Sequence, residues 1–242
     1  MKRILLATLI ACGSLAVLAA PVPKDKEAEP PPATEKQRSL SVNNLKKILL
    51  AMHNYESAFL VMPHDVVDKD GKALLSWRVA ALPYFNEDKA DNVYKKFALD
   101  EPWDSKTNKP LIAEMPKVYA PVRVTAEKGH TFYRGFSGNG AFFELGKKRG
   151  IVGITDGTSN TIAVIEAGEA VIWSKPDTDI PFDPKKLLPA LGKDIDGAFH
   201  AATLDGAVHR IRRDYDGDTM KAFITIAGGE VFDFDSLKPE KK

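Results

Sequence analysis

One run of apolar residues limits the folds open to this chain more than any other feature. Between Ser41 and Phe59, apolar side chains recur every three or four residues, at Leu45, Ile48, Leu49, Met52, Tyr55 and Phe59. This spacing predicts an α-helix with one apolar stripe. Ser39 or Ser41 can cap its start, and Pro63 follows its end. Because such a helix gains most of its stability from tertiary packing, the rest of the chain has to cover the stripe.

The remainder of the chain predicts short helices followed by strands. Ser76 is a good cap for a helix from Trp77 to about Phe85, and residues 90–99 repeat a helical pattern. Strand-forming stretches follow at residues 118–124, 131–135, 161–166, 197–212 and 231–234, the fourth of them folding about an Asp205-Gly206 turn. We therefore expect an α+β domain, in which the N-terminal amphipathic helix packs on an antiparallel β-sheet with short additional helices.

Composition excludes one class of partner. Hydrophobic residues make up 44% of the 242 residues and charged residues 28%, which is ordinary for a soluble globular protein. The 34 Lys and Arg residues against 33 Asp and Glu residues give a net charge of only +1. Because proteins that bind polyanions usually carry a clear excess of basic residues, we expect no nucleic-acid partner.

The N-terminal region predicts export. Lys2 and Arg3 precede an apolar run, broken at Gly13, that is typical of a secretory signal peptide. The run is shorter than the roughly 20 apolar residues that span a bilayer, although an uncleaved membrane anchor is the alternative. We predict a signal peptide over residues 1–19, a Pro- and charge-rich linker over 20–38, one domain over 39–237 and a charged tail over 238–242. The expected location is the periplasm or the cell surface.

Cys12 offers a second interpretation of the same region. It is the only cysteine, and residues 9–13 fit a lipoprotein-processing box in which Cys12 would become the lipidated first residue. The membrane is expected as a partner only through this lipid or through an uncleaved N-terminus. If the signal peptide is cleaved, the mature protein has no cysteine, and its fold depends on core burial without disulfides.

Three acidic residues form the one candidate metal loop. Asp214, Asp216 and Asp218 are spaced at i, i+2 and i+4, as in a loop that wraps calcium. An EF-hand would place a glutamate about seven residues further on, where this chain has Thr225. The alternative is a solvated turn, because carboxylates also favour a helix N-terminus and Asp218 can cap a helix over residues 219–227. Calcium is the only cofactor for which the sequence contains a candidate site.

Two histidines near the predicted hairpin turn do not complete a metal site. If Asp205-Gly206 closes a two-residue turn, His200 and His209 become diagonal neighbours on one face of the hairpin. A zinc site needs three or four ligands, and no Asp, Glu or Cys joins the pair on that face. We therefore expect a solvated hairpin face rather than a metal site.

No pattern in the chain predicts a catalytic group. Ser137 and Ser159 lie in loops rich in Gly and Asn, but neither stands in a Gly-x-Ser-x-Gly elbow. Glu166 and Glu169 are three residues apart, so on a strand they would point to opposite faces. The expectation is a non-enzymatic protein with no catalytic residues.

Several short motifs, taken in order, resemble one protein family. They are Asn43-Asn44-Leu45-Lys46-Lys47, Ala51-Met52-His53-Asn54-Tyr55, Ser76-Trp77-Arg78-Val79, Glu101-Pro102-Trp103-Asp104, residues 154–161, Trp173-Ser174-Lys175-Pro176 and Gly228-Gly229-Glu230. The chain from about Ser41 to Phe234 resembles the pilin-like domain of unknown function 1559 family, which planctomycetes carry in many copies and which is also labelled bacterial solute-binding-like. The resemblance implies a pseudopilin-like architecture and an exported location, without an established activity. Here an ordinary signal peptide stands where family members have a prepilin N-terminus.

Three functions follow as expectations, in descending order. The first is an exported, non-enzymatic, pilin-like module that makes structural or protein contacts with envelope proteins or with its own copies. The second is a periplasmic protein that binds a small solute or glycan through Trp103 and Trp173. The third is a hydrolase. A deep pocket lined by these aromatic residues would favour the second, and an acid/base pair with perturbed pKa values would favour the third.

Overall fold

The longest element of the fold is a helix that begins earlier than the apolar stripe. A computed structural model describes residues 33–186, 188, 191, 197–230 and 234–239. Helix α1 spans Glu35–Phe59, 25 residues, instead of starting near Ser41. The Thr34 side chain accepts a hydrogen bond from the Gln37 N–H, and the Gln37 side chain accepts one from the Thr34 N–H. This capping box extends the helix through a polar first turn that the apolar periodicity does not reveal.

Shorter helices follow α1. They are α2 (Trp77–Ala80), α3 (Asp88–Tyr94) and α4 (Gly217–Ala222), with 3-10 turns at residues 82–84, 109–114, 117–119, 151–153, 158–160 and 234–237. The predicted Ser76 cap of α2 is confirmed, because its side chain accepts from the Arg78 N–H. The cap of α4 is Asp216 rather than Asp218, since the Asp216 carboxylate accepts from the Thr219 N–H three residues on.

The strands form one main sheet and two small ones. Their bounds are β1 Val66–Val67, β2 Ala73–Leu75, β3 His130–Arg134, β4 Phe136–Ser137, β5 Ile162–Ile172, β6 Ile180–Pro181, β7 Ala198–Thr203 and β8 Val208–Arg212. The main sheet has the order β3-β5-β7-β8, and each neighbouring pair is antiparallel. β1 pairs with β2 in an antiparallel manner, and β4 pairs with β6 in a parallel manner. The predicted antiparallel sheet is therefore present.

One predicted strand is wrong, and another lies mostly outside the described residues. Residues 118–124 form no strand; Lys117–Tyr119 is a 3-10 turn instead. Pro116 and Pro121 flank this turn, and proline has no N–H to donate to a strand ladder. Of the predicted strand over 231–234, residues 231–233 lie outside the described part of the chain, and Phe234 begins a 3-10 turn.

The β7-β8 hairpin is confirmed, but its register differs from the prediction. Ala202 pairs with Val208 rather than with His209, and four residues, 204–207, separate the end of β7 from the start of β8 instead of two. The Asp205 carboxylate causes this, because Oδ1 accepts from the Ala207 N–H at 3.0 Å and from the Thr203 hydroxyl at 2.6 Å. His200 now pairs with Arg210 and His209 with Ala201, so the two imidazoles lie on opposite faces of the hairpin. The predicted pair on one face was wrong.

The core lies on both faces of the main sheet. Helix α1 packs on β5 and β7, and the residues of its stripe that are fully buried there are Leu45, Ile48, Leu49 and Met52. A second cluster contains Ile165, Phe199, Ile211 and, from α4 and its C-terminal end, Met220 and Phe223. The prediction of an α+β domain is confirmed, while likeness to a pseudopilin stays a prediction. Among the described residues, no helix has both the length and the apolar character that a membrane span requires.

Candidate functional site

A buried polar network fastens α1 to the sheet. It consists of Ser41 on α1, Arg123 in the loop before β3, Glu166 on β5 and His200 on β7, and all four residues are buried. Ser41 faces the sheet because it lies four residues, about one helical turn, before the buried Leu45. The sequence therefore brings a hydroxyl, a carboxylate, an imidazole and a guanidinium together inside the core.

Glu166 Oε2 is the centre of this network. It accepts from Arg123 Nε at 2.9 Å and from the Ser41 hydroxyl. His200 Nδ1 lies 2.7 Å from Ser41 Oγ and 3.8 Å from Glu166 Oε2. Since the single hydroxyl hydrogen of Ser41 goes to the carboxylate, Nδ1 carries the hydrogen that it donates to Ser41 Oγ. Arg123 Nη1 also donates to the Ala198 carbonyl at 3.2 Å, so the guanidinium bridges β5 and β7.

The charges of the network keep Glu166 ionised although it is buried. Burial by itself raises the pKa of Glu166, but the nearby His200 imidazole and the charge of Arg123 together lower it below its ordinary value. Its second oxygen, Oε1, has no hydrogen-bond partner among the described residues. Beside the network, Asn44 donates to the Tyr133 hydroxyl at 3.2 Å, and burial raises the pKa of Tyr133. Because Arg123 compensates the buried charge of Glu166, the stability of the domain depends on this arginine.

Serine, histidine and glutamate together invite a catalytic interpretation, which this geometry does not support. In a serine-histidine-acid triad, the serine and the acid bind different nitrogens of the imidazole ring. Here Ser41 and Glu166 both face Nδ1 of His200. Ser41 also has no exposed surface on which a substrate could dock. The arrangement positions α1 rather than activating a nucleophile.

A second buried network surrounds Arg78 at the start of α2. Its guanidinium donates to the Tyr133 carbonyl at 2.8 Å and to Asp179 Oδ1 at 3.3 Å. Asp179 also accepts from the Gly135 N–H at 2.8 Å and from Trp77 Nε1 at 3.1 Å. A buried ion pair needs such additional hydrogen bonds to offset the loss of hydration. The network ties α2, β3 and the segment before β6 together.

A surface cleft opens beside the Arg78 network. It holds about 410 Å³ of empty space, part of it open to solvent, and its charged lining residues are Asp65, Glu144, Lys147, Arg149, Asp177 and Asp179. Asp65 accepts from the Trp77 N–H at 2.8 Å and from the Asp177 N–H at 2.6 Å. Burial, followed by the negative charge of Asp179, raises the pKa of Asp65 to about 6. The cleft therefore combines a carboxyl group that titrates near neutrality with cationic side chains.

Apolar side chains face the solvent where α1 ends. The exposed fractions are 53% for Phe59, 79% for Leu60 and 98% for Val152. The Tyr55 ring lies 4.6 Å from that of Phe59 and 5.2 Å from that of Tyr84, measured between centroids. We call Tyr55, Phe59, Leu60, Tyr84 and Val152 the helix-end patch. Its exposed apolar and aromatic surface is of the kind that protein contacts use.

Leu60 has an unusual backbone conformation within the helix-end patch. It caps α1 in the left-handed region, with φ 60° and ψ 17°, where glycine is the common residue. A residue other than glycine in this region costs on the order of 1–3 kcal/mol. A Cβ on Gly150 would come within 2.6 Å of the Leu60 carbonyl oxygen, so the loop that carries Val152 packs directly against the helix end. Folding alone does not explain an apolar side chain that is both strained and exposed.

The two tryptophans proposed as ligand contacts lie in different environments. Trp173 is fully buried, stacked on Tyr119 at 6.0 Å between ring centroids, and its Nε1 donates to the Ile112 carbonyl at 3.1 Å. Trp103 is partly exposed, with the Lys175 ammonium 5.4 Å from its ring centroid. Neither tryptophan lines the cleft described above. A ligand could reach Trp173 only after the core opened.

The three aspartates of the candidate calcium loop have local partners. Asp214 pairs with Arg212 at 2.5 Å, Asp216 caps α4, and Asp218 pairs with Lys221 at 3.3 Å. In the described part of the chain, no group of three or more His, Cys, Asp or Glu side chains is arranged to hold a metal ion. Calcium binding here stays a prediction. Cys12 lies outside the described residues.

No local sequence pattern predicts the buried Ser41 network. Its members are separated by up to 159 residues, so no local spacing reveals them. The one available signal was Glu166 inside an otherwise apolar, β-branched stretch, because a carboxylate in a buried strand needs a partner. Glu169, three residues further along β5, is exposed, whereas Glu166 is buried. This agrees with the prediction that the two side chains point to opposite faces of the strand.

The fold and these sites define an α+β domain in which one long helix is fastened to a four-stranded antiparallel sheet. Residues 37–132 match the family described as Protein of unknown function (DUF1559), which also has a solute-binding-type short name. The match is to the family that the motifs resemble. No curated protein and no solved structure matches the chain. Export and a pilin-like role stay predictions.

Proposed function

We propose that this chain is an exported, non-enzymatic module of the periplasm or cell envelope that works through protein contacts made by the helix-end patch. The observation that carries the proposal is Leu60, an exposed leucine held in a backbone conformation that favours glycine. A partner that covers the leucine side chain would bury apolar surface and so offset this cost. The signal-like N-terminus and the pilin-like resemblance support the exported location.

The patch has the composition of a contact surface. Aromatic residues are enriched at the centres of protein interfaces, and Tyr55, Phe59 and Tyr84 lie within 4.6 to 6.0 Å of one another here, between ring centroids. Leu60 and Val152 add exposed aliphatic surface.

A second candidate function is the binding of a small solute. The charged cleft beside Arg78 favours it, together with the short name of the family. A site of this kind would not involve Trp173, which lies in the core. The two candidate functions use separate residues and can be tested separately.

Site-specific photo-crosslinking in cells that produce the full chain tests the contact function. A photoreactive phenylalanine analogue at Val152 should give discrete adducts with envelope proteins or with a second copy. The same analogue at Lys128, an exposed residue of the loop before β3, is the control and should give none. Leu60→Asn should abolish the Val152 adducts without loss of stability, because asparagine tolerates the left-handed region.

Two results would refute this proposal. One is an adduct pattern at Val152 that equals the pattern at Lys128. The other is recovery of the protein with its first residues intact in the cytoplasmic fraction. Intact mass of the fractionated protein also determines whether the chain starts near residue 20 or at a lipidated Cys12.

A further inference from the structure

The acidic end of the cleft is formed by two carboxylates on fixed supports. Asp65 is held by the backbone N–H groups of Trp77 and Asp177, and Asp179 by that of Gly135 and the indole of Trp77. Each Asp65 oxygen accepts one of these hydrogen bonds and can accept a second. Asp65 can therefore receive further donors without giving up its structural contacts.

The other end of the cleft carries the cationic side chains of Lys147 and Arg149, both of which pair with Glu144. The Arg149 carbonyl accepts from the Met62 N–H at 2.7 Å, which places Arg149 beside the chain three residues before Asp65. Three residues of chain span at most about 10 Å, so the two ends are close. Arg149 Nη2 donates to Glu144 at 2.8 Å, whereas its buried Nε has no partner among the described residues. The Arg149 side chain as a whole is 25% exposed, so its guanidinium has further N–H donors that a ligand oxygen in the cleft can accept from.

We propose that the cleft binds a small zwitterion, with a primary ammonium group at Asp65 and Asp179 and a carboxylate at Arg149. The empty space of about 410 Å³ includes open solvent at the mouth, so the ligand has to be a small molecule that stays partly exposed when it is bound. Phe143, whose ring stacks on Trp77 at 5.3 Å between centroids, supplies apolar surface for the carbon chain. This binding site is distinct from the helix-end patch and does not depend on it.

Electrostatics supports an ammonium group at the acidic end. Burial and, after it, repulsion between the Asp65 and Asp179 carboxylates raise the pKa of Asp65 to about 6, whereas the charge of Arg78 acts in the opposite direction. A cation between them removes this repulsion and stabilises the ionised form of Asp65. Binding should therefore lower the pKa of Asp65 and release protons at pH values near 6.

Amide NMR titration of the full chain tests the proposal with defined probes. L-alanine, β-alanine and 4-aminobutyrate vary the distance between ammonium and carboxylate, and propylamine and propionate present each group alone. At least one of the three zwitterions should bind about ten-fold or more tightly than either single-group probe, because it makes charge-assisted hydrogen bonds at both ends. The shifted amide signals should include those of Trp77 and Gly135.

Paired variants locate the site. Asp65→Asn and Arg149→Gln should each weaken zwitterion binding about ten-fold or more. Asp100→Asn and Lys128→Gln change the same charges at exposed positions outside the cleft and should leave binding unchanged. Proton release near pH 6 on binding should disappear in Asp65→Asn.

Three outcomes would overturn the proposal. These are no amide shifts with any zwitterion, equal binding of a single-group probe, and undiminished binding by Arg149→Gln. If Asp65→Asn does not fold, Arg149→Gln and the proton release of the wild-type protein decide the question. Loss of crosslinking at the helix-end patch would not bear on this result, because the two sites share no residue.

Discussion

Replacing Arg123 with methionine tests how much the buried network contributes to stability. The substitution keeps a long apolar side chain but removes the 2.9 Å ion pair with Glu166 and the hydrogen bond to the Ala198 carbonyl. Glu166 then remains as a buried carboxylate without its counter-ion. Removing one partner of a buried ion pair typically costs about 3–5 kcal/mol, which is a large part of the roughly 5–15 kcal/mol that stabilises a domain.

A second substitution shows whether the unpaired charge causes this loss. Glutamine at position 166 has the shape of glutamate without the charge, so Arg123→Met with Glu166→Gln should be more stable than Arg123→Met alone. Lys95→Met removes the exposed partner of Asp91 and serves as the control. It should change the free energy of unfolding by less than about 0.5 kcal/mol.

Lowering the pH should change the contribution of Glu166 to stability in opposite directions in the native protein and in Arg123→Met. In the native network the pKa of Glu166 lies below its ordinary value, so its contribution is present at neutral pH and is lost as the pH falls through the folded-state pKa. Without Arg123, burial dominates and raises this pKa above its unfolded value. The variant should then gain stability relative to the native protein between pH 7 and pH 5.

Urea denaturation at both pH values, followed by tryptophan fluorescence, measures these differences. A loss below about 1 kcal/mol for Arg123→Met at pH 7 would refute the argument that the ion pair holds α1 in place. So would a double variant that is less stable than the single one, or a stability difference that does not shrink between pH 7 and pH 5.

Three further predictions concern single contacts. Asp179→Asn should lower the pKa of Asp65 from about 6 in a carboxyl NMR titration, but not fully to 3.8, because burial, the larger cause of the shift, remains. In the native protein this group adds stability as the pH falls from about 6 to about 4, by at most about 3 kcal/mol, and the variant should show a smaller slope over this range. Gly135→Ala places a Cβ 2.2 Å from the Phe143 ring and should cost about 1–3 kcal/mol in urea denaturation, whereas Gly153→Ala, with no atom within 4 Å, should cost little. Ser76→Ala removes both the cap of α2 and a 2.7 Å partner of Arg78 and should lower stability by about 2 kcal/mol, while Ser57→Ala on the exposed side of α1 should not.

The elements that the sequence predicted correctly are those determined by residues close together in the chain. The stripe from Leu45 to Met52 gave the correct buried face of α1, and Ser76 gave the start of α2. The start of α1 was misplaced because Thr34 and Gln37 cap a polar turn that carries no apolar signal. The hairpin register was misplaced because the Asp205 side chain holds a four-residue loop, and a change of one residue in register reverses the face of every following side chain.

Long-range contacts explain why the candidate sites were not predicted. Glu166 and Ser41 are 125 residues apart, and their contact exists only once α1 lies on β5. The cleft likewise brings Asp65 and Asp177 together across 112 residues. Exposure of Leu60 and Val152 also depends on tertiary packing, because the sequence shows only that they are apolar. Trp173, in turn, could not be recognised as a core residue without its neighbours Tyr119 and Phe97.

The position of Ser41 on α1 has a mechanical consequence. A force that reaches the domain through residue 33 is transmitted first to α1, which begins at Glu35. Ser41 lies about 9 Å along the helix axis and Asn44 about one further turn on, at 1.5 Å per residue. Tension therefore meets the hydrogen bonds of Gln37 to the Val122 carbonyl, of Ser41 to Glu166 and of Asn44 to Tyr133 before it reaches the buried apolar side chains from Leu45 onward. The helix would have to slide along the sheet, straining these bonds together, before the domain could be pulled open from its N-terminal end.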